Sequence, residues 1–125
     1  MSPNRRKSPF RYVLENPIEF ELYLVSLNFT AAPRKPISAQ MHDISRSGCL
    51  VSLPVEIPVG QNRIRVALDF VLNEDELHFE GYLRWAKEEA GRHYYGVEME
   101  VPEDQKDRLQ LELRGLAGAN RIRVM

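Results

Sequence analysis

The chain has one cysteine, Cys49, among 125 residues, which rules out an internal disulfide. Set between Gly48 and Leu50 in an apolar run, it reads as a small buried hydrophobe and not as a reactive thiol. Histidine is scarce as well. His42, His78 and His93 stand far apart, each in an alternating context, so a zinc site is not expected. There is no glycine-rich phosphate loop and no Gly-x-Ser-x-Gly nucleophile turn. The expectation is therefore a protein that is not an enzyme and needs no cofactor. No apolar stretch approaches the ~18 residues required to cross a bilayer. The N-terminal basic residues are not followed by an apolar run, so no signal peptide is expected; a cytoplasmic location without membrane insertion is. Internal repeats and low-complexity segments are lacking too.

What is present is ordinary for a folded protein: 43% hydrophobic and 28% charged residues, in a length that suits one core. The formal net charge of -1 conceals an asymmetry. Arg5, Arg6, Lys7 and Arg11 form a basic arm without an acid, and Arg114, Arg121 and Arg123 repeat this weakly at the far end. Glu74-Asp75-Glu76 and Glu103-Asp104 compensate between them. A basic arm on a near-neutral domain points to a local anionic partner such as a phosphate, not to a broad nucleic-acid face. Basic residues are not interleaved with aromatics along any one strand, as a single-strand stacking platform requires, so a nucleic-acid polymer is not an expected partner.

Periodicity of two dominates the chain. Ile18 to Val25 alternates at first, as a half-buried strand does. Asn28 to Pro36, with two prolines, reads as a hairpin loop. Ser38 to Ile44, Cys49 to Leu53, Arg63 to Leu72, Leu77 to Trp85 and His93 to Val101 complete a set of six strands. After Pro102 the period changes. Leu109, Leu111, Leu113 and Leu116 fit a helix from near Glu103, with acids in its first turn and Gly115 and Gly118 to end it. Leucines spaced by two cannot all face one core. The pattern predicts an all-β fold, a six-stranded antiparallel β-barrel with a C-terminal α-helix, because closure removes the edges that a single sheet leaves open; a sandwich is the rival architecture. The chain divides into a basic arm (1–12), the barrel with its helix (13–118) and a tail (119–125).

Two features carry chemistry. Arginines of the arm offer planar forks for phosphate oxygens or for the O6/N7 edge of guanine, and they stack on bases. The segment Asp43-Ile44-Ser45-Arg46-Ser47-Gly48 offers an acceptor suited to the opposite, N–H-bearing edge of guanine at Asp43 and a hydroxyl at Ser45. Gly48 permits a positive φ or a close approach of a ligand to the backbone. Alone, the segment reads as a local turn in which Asp43 and Ser45 satisfy nearby amides, and the acidic run at 74–76 reads as a solvated hairpin tip.

Taken together, these features resemble the PilZ domain family, marked by Arg-x-x-x-Arg ahead of the first strand and Asp/Asn-x-Ser-x-x-Gly after it. The second motif stands intact as Asp43, Ser45 and Gly48. Gly81-Tyr82-Leu83-Arg84-Trp85 resembles the family's Gly-x-Val-x-Trp strand, and Tyr95-Gly96-Val97-Glu98-Met99 its Gly-Val-x-Phe strand. The resemblance implies binding of cyclic di-GMP by Arg5, Arg6, Lys7, Arg11, Asp43, Ser45 and Gly48, with occupancy relayed to a downstream protein partner. Arg11 corresponds to the second motif arginine. Lys7 stands where the first is expected, and a lysine lacks the bidentate fork. Loss of one such contact weakens binding by roughly 1.5–3 kcal/mol, or about 10–150-fold. The alternative reading is therefore a degenerate member that acts as a nucleotide-independent interaction adaptor.

Overall fold

Alternate burial along each strand closes the sheet on itself. The computed structural model describes residues 11–119 and 122–124. Among them the strands are β1 (Tyr12–Leu27), β2 (Thr30–Ala31), β3 (Pro36–Ile44), β4 (Gly48–Leu53), β5 (Ile64–Val71), β6 (Glu76–Glu89), β7 (Arg92–Glu100) and β8 (Ile122–Val124). A 3-10 turn at Glu103–Gln105 leads into the helix α1 (Lys106–Gly118). Six strands pair antiparallel in the order β1-β3-β4-β7-β6-β5, and β1 pairs again with β5 to close the barrel. The expected six-stranded antiparallel β-barrel with a C-terminal helix is the fold.

The strand limits differ from expectation where polar residues hide a strand. β1 begins at Tyr12 rather than Ile18, because its register shifts between Val13 and Ile18 and so accommodates Glu15, Asn16 and Pro17. The segment 28–36 contains the two-residue β2, which forms a tight hairpin with the end of β1. β6 runs on past Trp85 to Glu89, and β8, in the segment 119–125, pairs with Tyr12–Leu14.

Inward-facing side chains fill the barrel: Leu22, Met41, Val51, Leu53, Val66, Leu68, Phe79, Leu83, Tyr95 and Val97 are all buried. Each such burial contributes about 1.5–3 kcal/mol relative to exposure. At one end the Tyr95 hydroxyl accepts from the Ile57 amide at 2.7 Å and donates to the Val55 carbonyl at 3.1 Å, pinning the loop between β4 and β5.

Helix α1 closes the other end. Leu109, Leu113 and Leu116, spaced by four and three, lie on its buried face, whereas Leu111 is 64% exposed. The helix starts later than the sequence suggests and runs through Gly115. That glycine does not terminate it. A Cβ at Gly115 would sit 2.3 Å from Asn73 Nδ2, so the missing side chain lets the helix approach the loop between β5 and β6. One turn away, the buried Glu112 aims its carboxylate at the same loop. A single oxygen accepts the backbone N–H groups of Asn73, Glu74 and Asp75 at 2.8, 2.9 and 3.2 Å. The acidic side chains at 74–76 are solvated as expected, while the amides of 73–75 hold the helix in place.

Removing this carboxylate leaves amide donors without their acceptor, at a cost on the order of 3 kcal/mol. Glu112→Ala is expected to lower the urea midpoint accordingly. Leu111→Ser, on the exposed face, is expected to change stability by less than about 0.5 kcal/mol.

Candidate functional site

Register across the barrel's outer surface brings the sequence landmarks together. Val13 pairs with Asp43, Asp43 with Leu50, Leu50 with Gly96, and Gly96 with Trp85. Residues directly opposite on neighbouring strands share a face. A band therefore runs from the start of β1 over β3, β4 and β7 to β6. Arg11, two residues before Val13, turns back onto it: Arg11 Nη1 lies 3.2 Å from Asp43 Oδ2. The guanidinium is half exposed, and the Asp43 side chain is 11% exposed. Asp43 thus faces the basic segment and not its own turn.

Ser45 does take the local role. Its hydroxyl accepts the Ser47 amide and donates to the Gly48 carbonyl, both at 3.3 Å, while the Ser45 amide donates to the same carbonyl at 2.8 Å. The Ser47 carbonyl accepts from the Met99 amide at 2.8 Å, tying the turn to β7. A positive φ is not what Gly48 supplies. A Cβ there would lie 2.6 Å from the Val97 carbonyl oxygen. Close approach of one strand to the next requires this glycine. Arg5, Arg6 and Lys7 lie outside the described residues.

Trp85, Arg84 and Glu98 join the site, although none was among the expected binding residues. The register shift between Leu83 and Trp85 makes Arg84 an extra residue on β6, and its guanidinium pairs with Glu98 of β7. The Trp85 indole occupies the space that a Gly96 side chain would fill, with Nε1 2.1 Å from an ideal Cβ position. Trp85 remains 42% exposed. The pairing of Trp85 with Gly96 was the available signal, since each belongs to a recognised strand motif, but only register shows that they meet. Arg11, Ser45, Ser47, Gly48, Arg84, Trp85 and Glu98 line a cavity of about 190 Å³. The other side of the turn, at Arg46 and Ser47, shares a cavity of about 480 Å³ with the first turn of α1.

Beside this band, His42 Nε2 is 2.8 Å from the Oγ of the fully buried Ser52. The Arg92 Nε–H donates to the same oxygen at 3.1 Å, and the His42 ring packs on Tyr94. Burial first, and the Arg92 charge second, hold His42 below its ordinary pKa, while Asp43 pulls it upward. Burial pushes the Cys49 thiol far up, in keeping with an inert core residue. Among the described residues, no cluster of His, Cys, Asp and Glu is arranged to hold a metal ion, and no helix is long and apolar enough to cross a membrane.

A closed barrel that carries Asp43-x-Ser45-x-x-Gly48 against an arginine ahead of β1 defines the class, and the sequence matches the PilZ domain over residues 4–115. The chain belongs to the PilZ domain family. Its fold is similar to that of the Bacillus subtilis inhibitor of motility (MotI/DgrA), with a TM-score of 0.59 and 16% identity. That similarity covers 94% of this chain and 54% of the other, so the chain spans about half the length of that protein. No curated protein matches the sequence.

Two outcomes follow from this geometry. Gly48→Ala drives a Cβ into a backbone carbonyl and is expected to cost roughly 1–3 kcal/mol in urea unfolding, whatever the residue contributes to a ligand. For His42, the folded chain keeps the ring neutral to lower pH than the unfolded chain does. Its contribution is complete above about pH 6.5 and is lost as pH falls through the folded value. Between about pH 7 and pH 5 the Tm of the wild type should therefore fall more steeply than that of His42→Gln. Parallel curves would contradict the assignment.

Proposed function

We propose that this chain is a receptor for cyclic di-GMP that relays occupancy to a protein partner, and that it binds this ligand without transforming it. One observation carries the reading: Arg11, paired with Asp43, lines a cavity walled by the Ser45–Gly48 turn and by Trp85. Arginine matches phosphate oxygens or the O6/N7 edge of guanine, and a carboxylate matches the N1–H and N2–H donors on its other edge. An exposed indole offers a surface on which a base stacks. Ser45 shapes the turn and keeps its oxygen at the cavity wall.

The cavity of about 190 Å³ is smaller than the ~300–1,000 Å³ usual for an enclosed small-molecule site. It suits one base or one phosphate and not a whole dinucleotide. Arg5, Arg6 and Lys7 are the cations available to cover the remainder, and the ordering of such an arm over the ligand is the change a partner would read. Family membership supports the ligand class. The cytoplasm, where a bacterial second messenger acts, is the compartment this reading requires.

Isothermal titration with cyclic di-GMP tests it. Binding with a dissociation constant in the micromolar range or below is expected. Arg11→Ala should abolish it while leaving the chain folded, at a cost on the order of 1–3 kcal/mol, because the guanidinium is half exposed but the Asp43 carboxylate it leaves behind is not. Lys7→Arg should tighten binding by restoring a fork. Absence of heat at tens of micromolar ligand with a folded sample would reject the proposal and favour the nucleotide-independent adaptor.

A further inference from the structure

The hairpin between β1 and β2 displays an aromatic ring at a strained position. Asn28 and Phe29 have φ of 50° and 72°, the left-handed pair that a two-residue hairpin requires and that Asn-Gly normally fills. Here the second place is taken by phenylalanine, which is 80% exposed. Its neighbour Leu27 is exposed as well. The strain is held from outside the hairpin. The Asn28 amide donates to the Arg63 carbonyl at 2.7 Å, the Arg63 amide donates to Asn28 Oδ1 at 2.7 Å, and Asn28 Nδ2 donates to Asn62 Oδ1 at 3.0 Å. A bulky residue held in the left-handed region by contacts from outside its own turn points to function rather than packing.

The charge next to it is also unmatched. The Arg63 guanidinium lies between two rings, 5.2 Å from the Phe29 centroid and 4.5 Å from that of Tyr82. Among the described residues no carboxylate pairs with it. The other arginines of this face are neutralised: Arg65 by Glu80 and Glu100, Arg84 by Glu98, and Arg34 by Glu80. One open cation beside an exposed ring matches a single carboxylate flanked by an apolar side chain. A run of phosphates would instead meet Glu80, Glu98 and Glu100. We infer that Phe29 and Arg63 form a docking point for a protein segment carrying an acidic residue next to an apolar one. Phe29 lies just past the end of β1 opposite Arg11, and the Tyr82 ring that Arg63 covers is approached from its other neighbour by Arg84 of the candidate cavity.

Photo-cross-linking in the cell of origin tests this, with Phe29→p-benzoylphenylalanine in the full chain. The expected result is an adduct with a protein whose cross-linked peptide carries Asp or Glu beside an apolar residue. Its yield should fall at least tenfold in Arg63→Glu and persist in Arg63→Lys. A nucleic-acid or lipid adduct, an adduct indifferent to Arg63→Glu, or no more adduct than from the same group at exposed Glu19 overturns the inference. A synthetic copy of the cross-linked peptide provides a second readout that does not depend on the folding of Arg63→Glu. Phe29→Gly should melt above the wild type yet bind that peptide at least tenfold more weakly. Unchanged affinity, or a lower Tm, counts against it.

Discussion

β1 is long enough to pair twice, and the barrel exists because it does. Over 16 residues it pairs with β3 on one side, while on the other side its second half pairs with β5 and its first three residues with β8. Pairing with β5 joins the two ends of the sheet, so six strands share one interior and none of them is left with a long open edge. The same strand carries the polypeptide from one end of the barrel to the other. Arg11 therefore sits where β1 starts, against Asp43, and Phe29 sits just past its end, against Arg63. Both candidate surfaces are set by the length of a single strand.

Alternation made much of this architecture legible. β5 and the first part of β6 read directly from Ile64, Val66, Leu68 and Phe70 and from Leu77, Phe79 and Leu83, because inward positions are apolar at every second residue. Legibility failed where a strand is irregular. Glu15, Asn16 and Pro17 disguise the start of β1, since the register shift that admits them has no periodic signature. The mismatch in the leucine spacing of the helix did show through: Leu111 is the residue that faces solvent. Glu112 gave no warning. An acidic residue in a charged helix looks solvated until three backbone amides from a loop 37–39 residues away are seen to converge on it.

The candidate site was legible to a similar extent, and for related reasons. Asp43, Ser45 and Gly48 are close in sequence, and the partnership of Asp43 with the basic segment follows from complementary charge. What each residue does locally was less accessible. Gly48 relieves a clash with Val97, and that contact depends on how tightly β4 approaches β7, a distance that sequence does not encode in any one residue. Arg84 enters the site only because β6 carries an extra residue there, which rotates a side chain that strict alternation would place elsewhere.

Trp85 is the sole tryptophan of the chain, and its ring lies across Gly96 on the wall of the candidate cavity. Indole emission from this protein therefore originates at one known place. The molecule carries its own optical label there, at a position where water, a stacked base or a neighbouring charge alters the signal directly, and no dye or engineered probe is needed to watch that surface.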